Sequence, residues 1–268
     1  MIRVLSLGAG VQSSTLALMS AQGEIEPYDC AIFADTGWEP KDVYEWMAWL
    51  EQQLPFPVHK VDNGNLPERV LKFSAKGEGS LVGRSASIPF FTLSDSGSRG
   101  MLPRQCTSEH KVLPVYRKLR ELVGLRPRQR APKEILVHQD MGISFDEMQR
   151  MKYSNNAWIE YGFPLIDLRM RRFDCIAWME RNGYPRPPRS ACVGCPYHSD
   201  KEWKRIKDSP VDWADAVGFE RKANAQCGYR DQVFLHASRK PLDEVDFSTA
   251  EDHGQLSMLD ECDGMCGV

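Results

Sequence analysis

Two segments of this 268-residue chain carry residue types at spacings that can do chemistry. The first is Cys192-Val193-Gly194-Cys195-Pro196. Two thiolates separated by two residues can grip one metal ion or one face of a cluster. That spacing alone is shared by zinc, iron–sulfur and redox sites. Pro185, Pro187, Pro188 and Pro196 surround it, which favours a rigid metal loop over the helix start of a redox dithiol. The second is Leu7-Gly8-Ala9-Gly10-Val11-Gln12-Ser13-Ser14-Thr15. Glycines between a strand and a helix let backbone N–H groups close on an anion. The helix N-terminus adds partial positive charge, and Ser13, Ser14 and Thr15 offer hydroxyls. No Gly-Lys-Ser/Thr follows, so this is not a Walker A loop. The third glycine of the dinucleotide fingerprint is also missing. The same residues would serve a plain strand-to-helix turn with serine caps.

Further polar residues fall where such a ligand would need them. Asp35 and Thr36 close the second apolar run, and ligands of open parallel sheets bind beyond the carboxyl ends of strands. Asp35 could meet a ribose hydroxyl or a metal on the phosphates; both residues are also common turn caps. His236 and Arg239 sit in a basic stretch that could bind phosphate or form a surface turn. Residues 117–133 hold seven Arg or Lys against one Glu. They form either a solvated helix end or a patch that tracks nucleic-acid phosphates. Arg169, Arg171 and Arg172 make a second short basic run.

The elements that must position these residues alternate strand and helix, the pattern of a Rossmann-like parallel sheet with flanking helices. Strands are expected over 2–7, 29–35, 57–61 and 134–138. Helices are expected over 11–22, 40–53 and 107–123. The Gly/Ser-rich stretch 74–104 reads as a long loop, and 183–200 as a proline-punctuated loop. An α/β nucleotide-binding domain is thus expected over 1–165. A helical and loop region with the Cys-x-x-Cys and a cysteine-bearing tail follows over 166–268. Cys30 and Cys175 lie in apolar surroundings and read as core residues. The tryptophans sit mostly at helical spacing and read as core too.

With Gly-Ala-Gly-Val-Gln-Ser after strand one and Asp-Thr-Gly closing strand two, the chain resembles the PP-loop ATP pyrophosphatase superfamily, in the branch of PAPS/APS reductases. The superfamily signature is Ser-Gly-Gly-x-Asp-Ser; aligned on Gly10 and Ser13, Gln12 stands for the aspartate. The stretch from Gly142 to Arg150 resembles a Gly-Ile-Arg-x-x-Glu-Ser-x-Arg element, with Ser144 in place of its first arginine. The resemblance implies that Gly8, Ala9, Gly10, Gln12, Ser13, Ser14, Asp35, Thr36 and Gly142 hold an adenine nucleotide, ATP with Mg2+. Arg104-Gln105-Cys106 through Lys111 to Pro114 is similar to the branch's Cys-Cys-x-x-x-Lys-x-x-Pro. It implies that Cys106, Cys192 and Cys195 hold a [4Fe–4S] cluster with one open iron. A fourth ligand from His110, His198, Cys262 or Cys266 would instead close a zinc site. By the same resemblance Arg104, Lys111 and Arg150 join His236 and Arg239 as substrate-binding candidates. Glu261-Cys262 resembles the catalytic tail of the reductases, which makes Cys262 and Cys266 candidate catalytic thiols.

Composition bounds the function class. Net charge is −3 and 42% of residues are hydrophobic, as in ordinary globular proteins. No apolar run reaches the ~18 residues of a membrane span. The N-terminus lacks a signal peptide, so a cytoplasmic setting without membrane association is expected. Eight cysteines there point to metal or redox use. The expected activity is adenylation by ATP with release of pyrophosphate, supporting sulfur transfer to a nucleic acid or small acceptor with a sulfur-donor protein as partner. The alternatives are a sulfonucleotide reductase and a non-catalytic nucleotide-binding subunit.

Overall fold

In the computed structural model, residues 1–72, 88–226 and 229–248 are described. They pack into two compact units that the chain enters more than once. The first holds Met1–Asp35, Lys41–Asp62 and Val112–Ser190; the second holds Thr36–Pro40, Asn63–Lys111 and Ala191–Val268. Packing therefore divides the chain differently from the 165/166 boundary expected above, because two excursions from the sheet, after Asp35 and after Asp62, belong to the second unit.

The first unit is an α/β fold around a parallel five-stranded sheet. Its strands are β1 (Ile2–Ser6), β2 (Cys30–Ala34), β3 (Val58–Val61), β6 (Val137–Met141) and β7 (Ile159–Gly162), ordered β3-β2-β1-β6-β7. Alternation along the strands sends side chains to two faces. Leu5, Ala31 and Phe33 pack with α1 (Val11–Gln22), α2 (Lys41–Glu51) and α6 (Arg172–Arg181). Val4, Cys30, Ile32, Val137 and Ile159 pack with Val115 and Leu119 of α4 (Leu113–Leu122). Strand order reverses direction at β1, so the ends of β1 and β6 flank the switch point where ligands of such sheets bind.

Element boundaries moved where polar residues intervene. The expected strand 134–138 lies at 137–141, in register with β1 from Ile2↔Val137 to Ser6↔Met141. The shift brings Gln139 and Asp140 into the strand, and Asp140 is buried beside the Arg3 guanidinium. The expected helix 107–123 opens as a π-turn over Ser108–Val112 before α4, which has Pro114 in its first turn.

The second unit carries α3 (Leu66–Leu71), β4 (Phe91–Leu93), β5 (Arg99–Met101), α7 (Asp200–Asp208), α8 (Pro210–Gln226) and β8 (Gln232–Phe234). The small antiparallel sheet runs β5-β4-β8. The stretch expected to be one loop over 74–104 thus contains a hairpin; its part 73–87 lies outside the described residues. Trp203, Phe90, Phe219 and Leu242 anchor this core. Among the described residues no helix is long and apolar enough to cross a membrane.

Candidate functional site

The glycine bend connects β1 to α1 at the switch point. Gly8 is exposed, Gly10 half-buried and Ala9 buried. Ala9 holds φ 58°, a left-handed conformation that costs an L-residue about 1–2 kcal/mol. Backbone strain of this kind clusters at functional sites. The first intrahelical N–H bond of α1 runs from Ser14 to the Gly10 carbonyl at 3.0 Å. The N–H groups of Val11, Gln12 and Ser13 precede it and point out of the helix start, where an anion is favoured.

The hydroxyls serve the bend rather than its mouth. Ser13 Oγ accepts from the Gly8 N–H at 3.1 Å and donates to the Gly10 carbonyl at 3.3 Å. Ser14 Oγ accepts from Trp46 Nε1 at 3.0 Å, and Thr15 Oγ1 donates to the Val11 carbonyl at 2.9 Å. These three side chains brace the loop from behind, because α1 is buried along its whole first half. Backbone N–H groups are left as the donors at the mouth of the bend. Gly142 explains its own residue type: a Cβ there would stand 2.8 Å from Ser13 N and 2.9 Å from Ser13 Cα. The end of β6 therefore presses directly on the helix start.

Gln12 does not face outward as an expected metal-binding position would. Its Oε1 accepts from Arg172 at 3.1 Å, and its Nε2 donates to Glu147 at 3.1 Å and reaches Ser144 Oγ at 3.5 Å. Glu147 is buried and pairs with Arg150 at 2.8 Å. The bend is thus bordered by two arginines held through one amide and one carboxylate. Arg150 was expected from the sequence. Arg172 was not singled out, although the run Arg169, Arg171, Arg172 was its signal. Asp35 follows β2 and accepts from Tyr44 Oη at 2.9 Å.

The thiols lie in the second unit. Cys106, Cys192 and Cys195 line one cavity with Thr36, Trp38, Arg104, Lys111 and Tyr197, enclosing about 470 Å³ that includes its open mouth. Arg104 stacks over the Tyr197 ring at 5.4 Å. The Cys-x-x-Cys turn is closed by Cys195 N–H to the Cys192 carbonyl at 3.0 Å, and His198 Nε2 donates to the same carbonyl at 2.9 Å. That nitrogen is therefore occupied rather than turned to a metal. Gly194 lies under the Trp38 ring, which fills the space of any Cβ, and Val193 N–H donates to the Trp38 carbonyl at 2.8 Å. Thr36, expected beside the nucleotide, instead contacts Cys192 Sγ at 3.3 Å and donates to Glu39 Oε1 at 3.1 Å. Cys192 Sγ donates to the same carboxylate oxygen at 3.6 Å. Burial, with the Glu39 charge next, pushes the Cys192 thiol well above its ordinary range, offset in part by Lys111. Glu39, buried beside it, is the residue the sequence reading missed; its place two residues beyond Gly37 gave no signal.

Three thiols with two cations nearby are an apt donor set for iron–sulfur or zinc. As the side chains stand, however, Cys192 is engaged by Thr36 and Glu39, and no group of three or more His, Cys, Asp or Glu is disposed to hold a metal among the described residues. The three thiols line one pocket, where Cys106, Cys192 and Cys195 would be the residues to hold a metal or cluster.

Arg239 donates from all three guanidinium nitrogens to carbonyls, those of Thr92, Ala237 and Gly100. It ties β4 and β5 to the segment after β8. His236 is held between Ser238 and Asp200, at 2.8 Å from each. Cys262 and Cys266 lie outside the described residues. Cys30 and Cys175 are buried in the first unit, as expected. In the basic stretch, Lys118 pairs with Glu121, and Arg120 donates to the carbonyls of Arg126 and Gln129.

No family model matches the sequence, and no curated protein matches it. Among solved structures, this chain is similar to the crystal structure of phosphoadenylyl-sulfate (PAPS) reductase from Candida auris in its phosphate complex. The two share 16% sequence identity, the match covers 70% of this chain and 75% of that chain, and the TM-score is 0.41.

Proposed function

We propose that the chain is an adenine-nucleotide enzyme that adenylates an acceptor with ATP, releasing pyrophosphate, and thereby activates it for sulfur transfer. The observation that carries this reading is the β1–α1 bend: backbone N–H groups at a helix start, at the sheet's switch point, with the strained Ala9 between two glycines. An oxygen of the acceptor attacks the α-phosphorus, the bond to the pyrophosphate oxygen breaks, and pyrophosphate leaves with its electron pair. The fixed N–H dipoles and Arg172 and Arg150 stabilise charge that grows on the phosphate oxygens. A sulfur nucleophile from a donor protein then displaces AMP. Pyrophosphate release from ATP, dependent on acceptor, tests the reading. An adenine nucleotide that binds without any turnover would reduce the chain to a binding subunit.

A second reading is favoured by the engagement of Gln12. Its amide gives magnesium no carboxylate, and both its ends are already bonded. A ligand bound through backbone N–H groups and arginines, with no metal, suits a sulfonucleotide, whose reduction needs no metal on the phosphates. Sulfite released from PAPS or APS in the presence of a dithiol reductant, with no pyrophosphate from ATP, would select this second reading.

A further inference from the structure

We infer that the face next to the bend, built from residues 148–153 and 168–173, binds single-stranded nucleic acid. The turn that leads into the first segment is bonded to the second: Phe145 N–H donates to the Met170 carbonyl at 2.8 Å, and Arg172 N–H to Asp146 Oδ1 at 3.1 Å. They carry the largest exposed aromatics of the first unit, Tyr153 at 83% and Phe173 at 76%, with Met148, Met151 and Leu168 also exposed. Apolar side chains exposed to this degree on segments joined at their base are a feature of surfaces that bind something. Lys152, Arg169 and Arg171 are exposed among these side chains. Of the acidic neighbours, Asp146 and Asp174 accept the backbone N–H groups of Arg172 and Arg171, Glu147 is buried against Arg150 and Gln12, and Asp167 is exposed beside Leu168.

Aromatic faces interleaved with cations match one ligand chemistry closely. Unstacked bases lie on the rings, and the phosphates between them meet Lys and Arg. The stretch 117–133 suits this less well. It has no aromatic residue, and part of its charge is folded back onto its own carbonyls. The face adjoins the nucleotide bend through Arg172, which bonds Gln12. A strand held here would be the acceptor of the activity proposed above, and only that role rests on the nucleotide reading; binding itself does not.

The test is fluorescence anisotropy with labelled oligo(dT) and oligo(U), without mononucleotide, on the full chain at low and moderate salt. The wild type should bind at least one of them. Tyr153→Ala with Phe173→Ala should weaken binding by roughly tenfold or more, as loss of base stacking does. Lys152→Ala, Arg169→Ala and Arg171→Ala together should reduce the salt slope by about two, for three phosphates on a single strand. All these side chains are exposed, so unchanged melting curves will show the variants folded. Affinity untouched by these changes, or abolished instead by Arg128→Ala with Arg130→Ala, would overturn the inference. So would a wild type that ignores both oligonucleotides and partitions onto phosphatidylserine vesicles. Because ATP is absent, failure here leaves the nucleotide reading to its own pyrophosphate assay.

Discussion

Gln12 Oε1 accepts a hydrogen bond from the Arg172 guanidinium at 3.1 Å, joining the start of α1 to the start of α6 across 160 positions of sequence. The contact turns a residue at the helix start away from metal chemistry and sets an arginine beside the bend. Adenine-nucleotide affinity of the wild type should therefore change little between EDTA and magnesium. Gln12→Asp places a second carboxylate against buried Glu147 and breaks the bond to its Nε2. It should weaken binding by about tenfold in EDTA, in keeping with a lost charge-assisted contact, and regain part of that with magnesium. Calorimetric titration of both proteins in both buffers checks this. A wild type that needs magnesium would contradict it.

Gly142 sits against the Ser13 backbone with no room for a Cβ. Gly142→Ala should push α1 away from the end of β6. The expected cost is about 1–3 kcal/mol of stability, with a fall in nucleotide affinity that exceeds any effect on the thiol pocket. Gly218→Ala, in α8 where nothing lies within 4 Å of the new Cβ, is the control and should be neutral or mildly stabilising. Denaturant midpoints and nucleotide titrations separate the two outcomes.

The bend and the strands β1, β2 and β3 were legible because they are local, short apolar runs each ending in glycine or an acidic turn, whereas β4, β5, β7 and β8 were not read. The strand at 137–141 was misplaced because Gln139 and Asp140 look like loop residues until Arg3 is brought beside them. The fate of the serine hydroxyls depends on Trp46, whose indole reaches Ser14 from α2, and no local pattern announces that. Thr36 was read with the nucleotide because it follows Asp35, yet the chain changes unit between them. Arg239 looked like a ligand-binding cation and is spent on three carbonyls drawn from separate segments. Long-range polar pairings of this kind are what a single sequence withholds.

Two core thiols give the first unit an alkaline limit. Burial pushes Cys175 up to about 12 and Cys30 up to about 11. Each folded value lies above the ordinary 9, so the stability tied to the neutral thiol is whole below pH 9 and is lost as pH rises through that window. Between about pH 8 and about pH 10.5 the wild type should lose on the order of 1–2 kcal/mol more than Cys175→Ala. Tyr28, raised by burial and by Asp140, titrates in both proteins and cancels in the comparison. Parallel urea curves at the two pH values are the measurement; equal losses in the two proteins would show that Cys175 plays no part.

Arg239 adopts φ 56° to reach its three carbonyls. Removing it leaves those acceptors short of partners in the second unit. Arg239→Ala should cost about 2 kcal/mol, and Arg239→Lys should recover little, since one ammonium cannot serve all three directions. Nucleotide affinity should stay as in the wild type. A variant that keeps its stability but loses ligand binding would return Arg239 to the substrate-binding residues.

The most direct measurement of the central claim is an amide chemical-shift titration of the isotope-labelled full chain with ATP. The largest shifts should fall on the N–H groups of Ala9, Gly10, Val11 and Gln12, with the Arg172 side chain moving beside them. Saturation with those amides unmoved, and the perturbation centred elsewhere, would contradict a phosphate cradle at the first strand-to-helix bend.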